Sequence, residues 1–180
     1  YTQNFQLKCG KGSAYEGGIR EPMIVRWPGT VQPGTRCNDY LIIEDFYPSI
    51  LEMAGIDDYD VPQEIDGISF VPLLKQTKNP SQGRSLYWNC PNIWGEKGPG
   101  IGPSCTIRKD NWKMIYFYET GEKELYDIPN DIEENNNVAA LYPQIINKLS
   151  KELGKFLRQT NGQRPSFKKT GKPCPWPDEI

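Results

Sequence analysis

Apolar and polar residues follow two different patterns along this chain, and the change falls near residue 84. In the first part, Met23, Ile24 and Val25 lead through Arg26 to Trp27 and stop at Pro28-Gly29, a short apolar run that reads as a buried strand. Leu41-Ile42-Ile43 leads into a helix on which Phe46, Ile50, Leu51 and Ala54 recur at helical spacing. Asp45 stands where an N-cap is wanted, and Gly55 where a left-handed C-cap is wanted. Gly67 to Leu74 is a second apolar stretch and predicts a short helical turn at its end.

In the second part the pattern changes to short apolar and aromatic runs separated by turns. Ser85–Trp88, Cys105–Arg108, Trp112–Tyr118 and Glu124–Ile128 read as successive antiparallel strands, with a turn at Asp110-Asn111. Trp88 and Trp112 lie in these strands and read as core. Pro143 then opens a helix whose Ile145, Ile146, Leu149, Leu153, Phe156 and Leu157 form one apolar stripe, the face expected to pack on the sheet. Beyond Thr160 the chain is rich in Gly, Pro and Lys, a tail that must wrap over something or stay mobile.

Composition narrows the chemistry. Hydrophobic residues at 37% and aromatic residues at 12% suffice for a packed core. Basic residues number 21 against 23 acidic ones, so there is no basic excess to bind a nucleic acid backbone. No apolar run approaches membrane-spanning length. Histidine is absent, which removes an imidazole base and His metal ligands. The five cysteines form no C-x-x-C pair, which argues against structural zinc. Their scatter suits an exported compartment, and Cys90 and Cys105 flank one loop as a candidate disulfide. The sequence opens at Tyr1 without an initiator Met or an apolar leader, and reads as a cut end.

The segment from Cys9 to Pro22 carries the most chemistry. Gly10 and Gly12 flank Lys11, so the backbone can approach a ligand while a compact ammonium points at it, a group suited to a tetrahedral oxyanion. Gly17-Gly18 permits a second sharp turn, and Glu16, Arg20 and Glu21 are placed to form ion pairs that hold it. The residues alone leave open a simple turn with a solvated lysine. The spacing is not that of a phosphate-cradling P-loop.

Gly10-Lys11-Gly12-Ser13 followed by Glu16-Gly17-Gly18-Ile19-Arg20-Glu21-Pro22 and Trp27-Pro28-Gly29 resembles the stretch after the second metal-ligand pair of type I sulfatases. Glu44–Leu51 with Ala54-Gly55, Asp66-Gly67-Ile68-Ser69 with Pro72-Leu73-Leu74, and Ile107-Arg108, Trp112-Lys113, Glu124–Asp127 and Asp131–Asn135 are similar to later family elements in the same order. The resemblance runs from about Gly10 to about Leu157. It implies an α/β fold class: residues 1–75 supply the last strand and helix of a large sheet, 84–160 a small antiparallel sheet with a packed C-terminal helix, and 161–180 an irregular tail. It also implies that Lys11 contacts the sulfate of a sulfated small molecule or glycan, with Glu16 and Arg20 supporting its loop. In the family, a formylglycine made from Cys or Ser attacks sulfur beside a divalent cation, Ca2+ or Mg2+. No Cys or Ser in this chain lies in the motif that is converted, and no Asp precedes Lys11. The nucleophile and metal ligands are therefore expected in an N-terminal part, the metal ligands in this segment are expected to be none, and the location is expected to be periplasmic or secreted.

The Gly/Pro-rich loop from Asn89 to Pro103 is the candidate for specificity, with Trp94 to stack on a sugar or aryl ring, or merely to anchor the loop, and Lys97 to meet an anion. Asp131 to Glu134 reads most simply as a solvated acidic loop, with a calcium site as the alternative. Two rival functions remain: a phosphoester or phosphonate hydrolase of the same superfamily, and a non-catalytic carbohydrate-binding module.

Overall fold

The computed structural model describes residues 4–56, 58–93, 95 and 98–180, and these divide into two compact units. One comprises Ser85–Ile180 together with the N-terminal residues through Glu21; the other is Pro22–Arg84.

The larger unit is built on four strands: β1 (Ser85–Cys90), β2 (Ser104–Lys109), β3 (Trp112–Phe117) and β4 (Lys123–Asp127). They lie side by side in sequence order and every pairing is antiparallel, as the succession of short runs and turns predicts. The Asp110-Asn111 turn puts Lys109 opposite Trp112, and Asp110 takes up a positive φ of 51°. Alternation then sorts the side chains. Cys105, Ile107, Met114, Tyr116 and Leu125 share one face, and the 17-residue helix that opens at Pro143 (Pro143–Gln159) covers it with Leu149, Leu153 and Leu157. Each of these leucines is at most 2% exposed, a burial that contributes on the order of 2 kcal/mol per side chain. Phe156 of this helix stacks on Tyr87 with ring centroids 3.8 Å apart.

The tail after the helix wraps the same face. Tyr116 donates from its hydroxyl to the Pro175 carbonyl at 2.9 Å, Arg164 sits over the Trp176 ring at 4.7 Å, and Arg158 pairs with Asp178. Cys174 and Trp176 are buried as a result.

The expected Cys90–Cys105 disulfide is absent, and all five thiols are free. The register explains why. Asn89 faces Cys105 and Cys90 faces Ser104, so the two cysteines differ by one position and leave opposite faces of the sheet.

Burial of this face has a consequence in alkali. The Cys105 thiol and the Tyr116 hydroxyl are each pushed up to about 12 by desolvation, and Tyr118 is raised further by burial and by Cys105. These groups are neutral when protonated, so their stabilising effect is complete below the unfolded values near 9 to 10 and fades as pH rises toward the folded ones. The melting temperature is expected to fall steadily from pH 9 to pH 11, and Cys105→Ala should flatten that fall. A melting temperature constant across that range would overturn the assignment.

Among its described residues the smaller unit is mainly irregular, with two short α-helices, Phe46–Met53 and Val71–Leu74, the first preceded by a 3-10 turn at Ile43–Asp45. The first ends as the sequence suggests. Gly55 adopts a φ of 72°, its N–H donates to Glu52 O, and the Ile56 N–H reaches Leu51 O, a Schellman closure. Two expectations differ. Met23–Trp27 forms no strand ladder, and Ile24 is 96% exposed. An extended segment becomes a strand only when a neighbour accepts its hydrogen bonds, and no strand lies among the described residues of this unit. Asp45 makes no side-chain cap to the helix that follows it. Instead, its carboxylate accepts from the Ile42 and Ile68 N–H groups and from Arg84.

Candidate functional site

The face of the sheet opposite the long helix is covered by the N-terminal loop. On this face Ile115 and Tyr126 form a small apolar cluster with Tyr15 and Ile128. The loop turns at Gly12, which has a φ of 88°, and enters a single helical turn, Glu16–Ile19. The two glycines of that turn are required by close approach rather than by unusual dihedrals. A Cβ on Gly17 would stand 2.4 Å from the carbonyl oxygens of Lys8 and Cys9, and one on Gly18 would stand 2.0 Å from Ser13 O. The backbone of residues 8–13 thus folds directly onto the helical turn, and Gly17 N–H donates to Lys8 O at 3.1 Å. Lys11 lies on the outer edge of this arch, exposed.

Beneath the arch is a cluster of buried charges. Glu16 is 2% exposed, and Lys113 and Glu134 are fully buried. Lys113 Nζ lies 3.0 Å from Glu16 Oε1 and 2.8 Å from Glu134 Oε1. Arg108 and Arg20 approach the other Glu16 oxygen at 3.6 and 3.4 Å. Two carboxylates face Lys113 and Arg108, so the interior charges balance, which an arrangement this dry requires. Burial raises the Glu134 carboxyl above its ordinary range, against the pull of the Lys113 ammonium. Glu134 also stands at a φ of +51°, a conformation that costs a non-glycine residue about 1–2 kcal/mol and persists only where its surroundings enforce it.

Hydroxyls and a further lysine complete the layer. Tyr15 and Tyr126 both donate to Glu124 Oε2, at 2.8 and 2.9 Å. Lys8 Nζ sits 3.9 Å over the Tyr15 ring and donates to the Glu134 carbonyl at 2.9 Å. Burial and the adjacent Glu124 carboxylate hold both phenols well above their ordinary range.

The arch also joins the base of the 89–103 loop. Ala14 N–H donates to Gly100 O at 2.9 Å, and Ser13 Oγ donates to Pro99 O at 3.1 Å. The structure therefore brings the Lys11 loop together with the C-terminal limb of that loop. Trp94 and Lys97 themselves lie outside the described residues. Beside Tyr15, between the 100–103 segment and the β3–β4 turn, lies a shallow groove of about 250 Å3 lined by Tyr15, Ile101, Phe117, Glu119, Glu122 and Glu124. Among the described residues no three His, Cys, Asp or Glu side chains converge to hold a metal ion.

Sequence reasoning missed Lys113 and misjudged Glu134. The acidic run from Asp131 is not wholly solvated: Asp131 caps the Asn135 and Asn136 N–H groups at the surface, whereas Glu134 turns inward. One signal was available. Met114, Ile115, Tyr116 and Phe117 are apolar at every position, the mark of a strand covered on both faces, and a lysine beside such a run must find a buried partner.

The model of the family described as N-sulphoglucosamine sulphohydrolase, C-terminal, matches residues 9–160. The chain is 29% identical to a sulfatase of Formosa agariphila across 98% of its own length and 34% of that protein. It is 31% identical to an N-acetylglucosamine-6-O-sulfatase of Bacteroides thetaiotaomicron across 83% of its length and 26% of that protein. Among solved structures, Ps i-CgsB in complex with k-i-k-neocarrahexaose superposes with a TM-score of 0.75 at 28% identity, covering 92% of this chain and 34% of that one. The chain spans about a third, or less, of the length of these proteins.

Proposed function

The chain belongs to the N-sulphoglucosamine sulphohydrolase C-terminal family of sulfatase domains, and from that premise we propose that it serves a full-length sulfatase that hydrolyses sulfate esters, with Lys11 donating to a sulfate oxygen of the substrate. The observation that carries this reading is the arch: an exposed ammonium held between two glycines, above a rigid layer of buried charge, beside the 89–103 loop. A point charge with three donors suits a tetrahedral oxyanion and stabilises charge that develops as the ester bond breaks.

The formylglycine and divalent cation implied by the resemblance supply the nucleophile and charge neutralisation when present. Following the resemblance, their contribution is assigned to an N-terminal part of the protein. This chain supplies the Lys11 contact, and the 89–103 loop supplies Trp94 to stack on a sugar or aryl ring and Lys97 to meet an anion. The substrate class is a sulfated small molecule or glycan, by analogy with the relatives named for sulfated sugars. No described helix is long and apolar enough to cross a membrane. A polymeric sulfated glycan cannot cross a membrane unaided either, which is why the proposal includes a periplasmic or secreted location. The cysteines lend that location no support, since all are free.

The test is release of inorganic sulfate from an aryl sulfate by the full-length protein and by residues 1–180 alone. The full-length protein is expected to turn over and the isolated chain to match the buffer blank. Turnover by the isolated chain would overturn the division of labour. Activity of the full-length protein on a phosphate or phosphonate ester but not on the sulfate would replace the reading with its superfamily rival. Sugar binding without any hydrolysis would leave only a binding module.

A further inference from the structure

Both feet of the Lys11 arch stand on one residue. Lys8, three positions before Lys11, donates from Nζ to the Glu134 backbone carbonyl at 2.9 Å. Glu16, five positions after it, donates from its backbone N–H to Glu134 Oε2 at 2.6 Å. The other oxygen of the same carboxylate faces Lys113, which in turn holds the Glu16 side chain. Glu134 is reached from a distant segment, is fully buried, and keeps a left-handed backbone conformation at this point.

We propose that Glu134 is a positioning residue for Lys11, a clamp that fixes both ends of the 8–16 arch, with Lys113 as the counter-charge that keeps its carboxylate oriented. This rests on the reading of Lys11 as a sulfate contact. The physical reason for an ionic clamp is directional. A buried ion cluster adds little to stability compared with apolar residues of the same size, but its hydrogen bonds fix orientation, which apolar contacts do not. Here the bonds go to a backbone N–H and to an ammonium on either side of Lys11, and the contact of Gly17 and Gly18 with residues 8–13 carries that placement to the lysine. A displacement of about 1 Å at a reacting group is enough to cost about a hundredfold in rate.

The experiment uses the full-length protein and an aryl sulfate. Glu134→Leu combined with Lys113→Met removes one anion and one cation together, so the remaining Glu16 keeps Arg108 as its partner. This pair of changes is expected to lower kcat by about a hundredfold, with KM changing far less. Adding Lys11→Ala to it should bring little further loss, because the clamp acts through Lys11. Glu134→Gln with Lys113→Met, which keeps an acceptor for the Glu16 N–H, should restore most of kcat. Lys8→Met, at a half-buried position, removes one foot alone and leaves the Glu134–Lys113–Glu16 charges in place; it should speed hydrogen exchange at the amides of residues 8–16 and lower kcat to a smaller degree, and it decides the matter if the Leu/Met variant does not fold. If Lys11→Ala alone leaves kcat unchanged, the reading of Lys11 fails, and this inference with it. If Lys11→Ala lowers kcat while the Leu/Met variant folds and keeps it, or while the two losses simply add, the clamp is wrong and Lys11 stands. Unchanged kcat in Lys8→Met, where the Leu/Met variant does not fold, would overturn the clamp in the same way.

Discussion

Lys11→Ala in the full-length protein is expected to lower kcat on a sulfate ester by about a hundred- to a thousandfold, with the melting temperature essentially unchanged. The magnitude follows from losing one hydrogen-bond donor aimed at charge that develops in a transition state, about 2.7–4 kcal/mol where a single oxyanion-hole donor is removed. The unchanged melt follows from the structure: Lys11 is exposed on the outer edge of its loop, and the contacts that hold the loop belong to Lys8, Ser13, Glu16 and the two glycines. Lys11→Arg should recover little, because a planar fork does not reproduce a compact ammonium. The comparison needs kcat, KM and a thermal melt on the same preparations. A variant that keeps its rate but loses its melting temperature would make Lys11 a structural lysine and leave the site without its central residue.

The second large effect lies in the Pro22–Arg84 unit and concerns stability. Asp45 is fully buried. Its carboxylate accepts from the Ile42 N–H at 3.0 Å and the Ile68 N–H at 2.9 Å, and Arg84 Nη1 reaches its two oxygens at 2.7 and 2.9 Å. Its carbonyl accepts from Ser49 Oγ, which in turn accepts from the Phe70 N–H at 2.9 Å. One side chain therefore joins three stretches of a unit whose described residues contain no sheet. Asp45→Ala removes the partner of a largely buried guanidinium and strands two amide donors, a change that typically costs about 3–5 kcal/mol. Asp45→Asn, which keeps an acceptor but not the charge, should cost less. Denaturant unfolding together with hydrogen exchange at the Ile42 and Ile68 amides would measure it. A cost of no more than about 0.5 kcal/mol, the ordinary range for a surface substitution, would show that the unit does not depend on this carboxylate.

The two effects differ in kind because the residues differ in surroundings. Lys11 meets solvent and is available to a ligand, whereas Asp45, like Glu16 and Glu134, meets only protein. Charged side chains of the first sort are replaced at little cost to folding, and those of the second sort are not.

Much of the architecture was legible because it is local. The four strands appear where the sequence shows short apolar and aromatic runs between turns, the Asp110-Asn111 turn sets the register of β2 with β3, and the long helix opens at Pro143 and buries the stripe that its sequence draws. Gly55 closes its helix as a left-handed residue should, a matter of four neighbouring residues. The glycine pattern around Lys11 was visible too, as was the ion-pairing potential of Glu16 and Arg20. What the tertiary structure decided are the distant partners. Nothing near Glu134 distinguishes it from Glu133, yet one is exposed and the other bonds to residues 118 and 126 positions away. Lys113 meets Glu16 across 97 positions. Cys90 and Cys105, adjacent across a loop, are kept apart by a one-residue register, and Met23–Trp27, apolar enough for a strand, forms none without a neighbour to pair with. Periodicity and turn chemistry are short-range properties that a sequence carries in full view. Whether a charge is buried, and against what, depends on which surfaces the folded chain brings into contact, and that is set only when the loop lies down on the sheet.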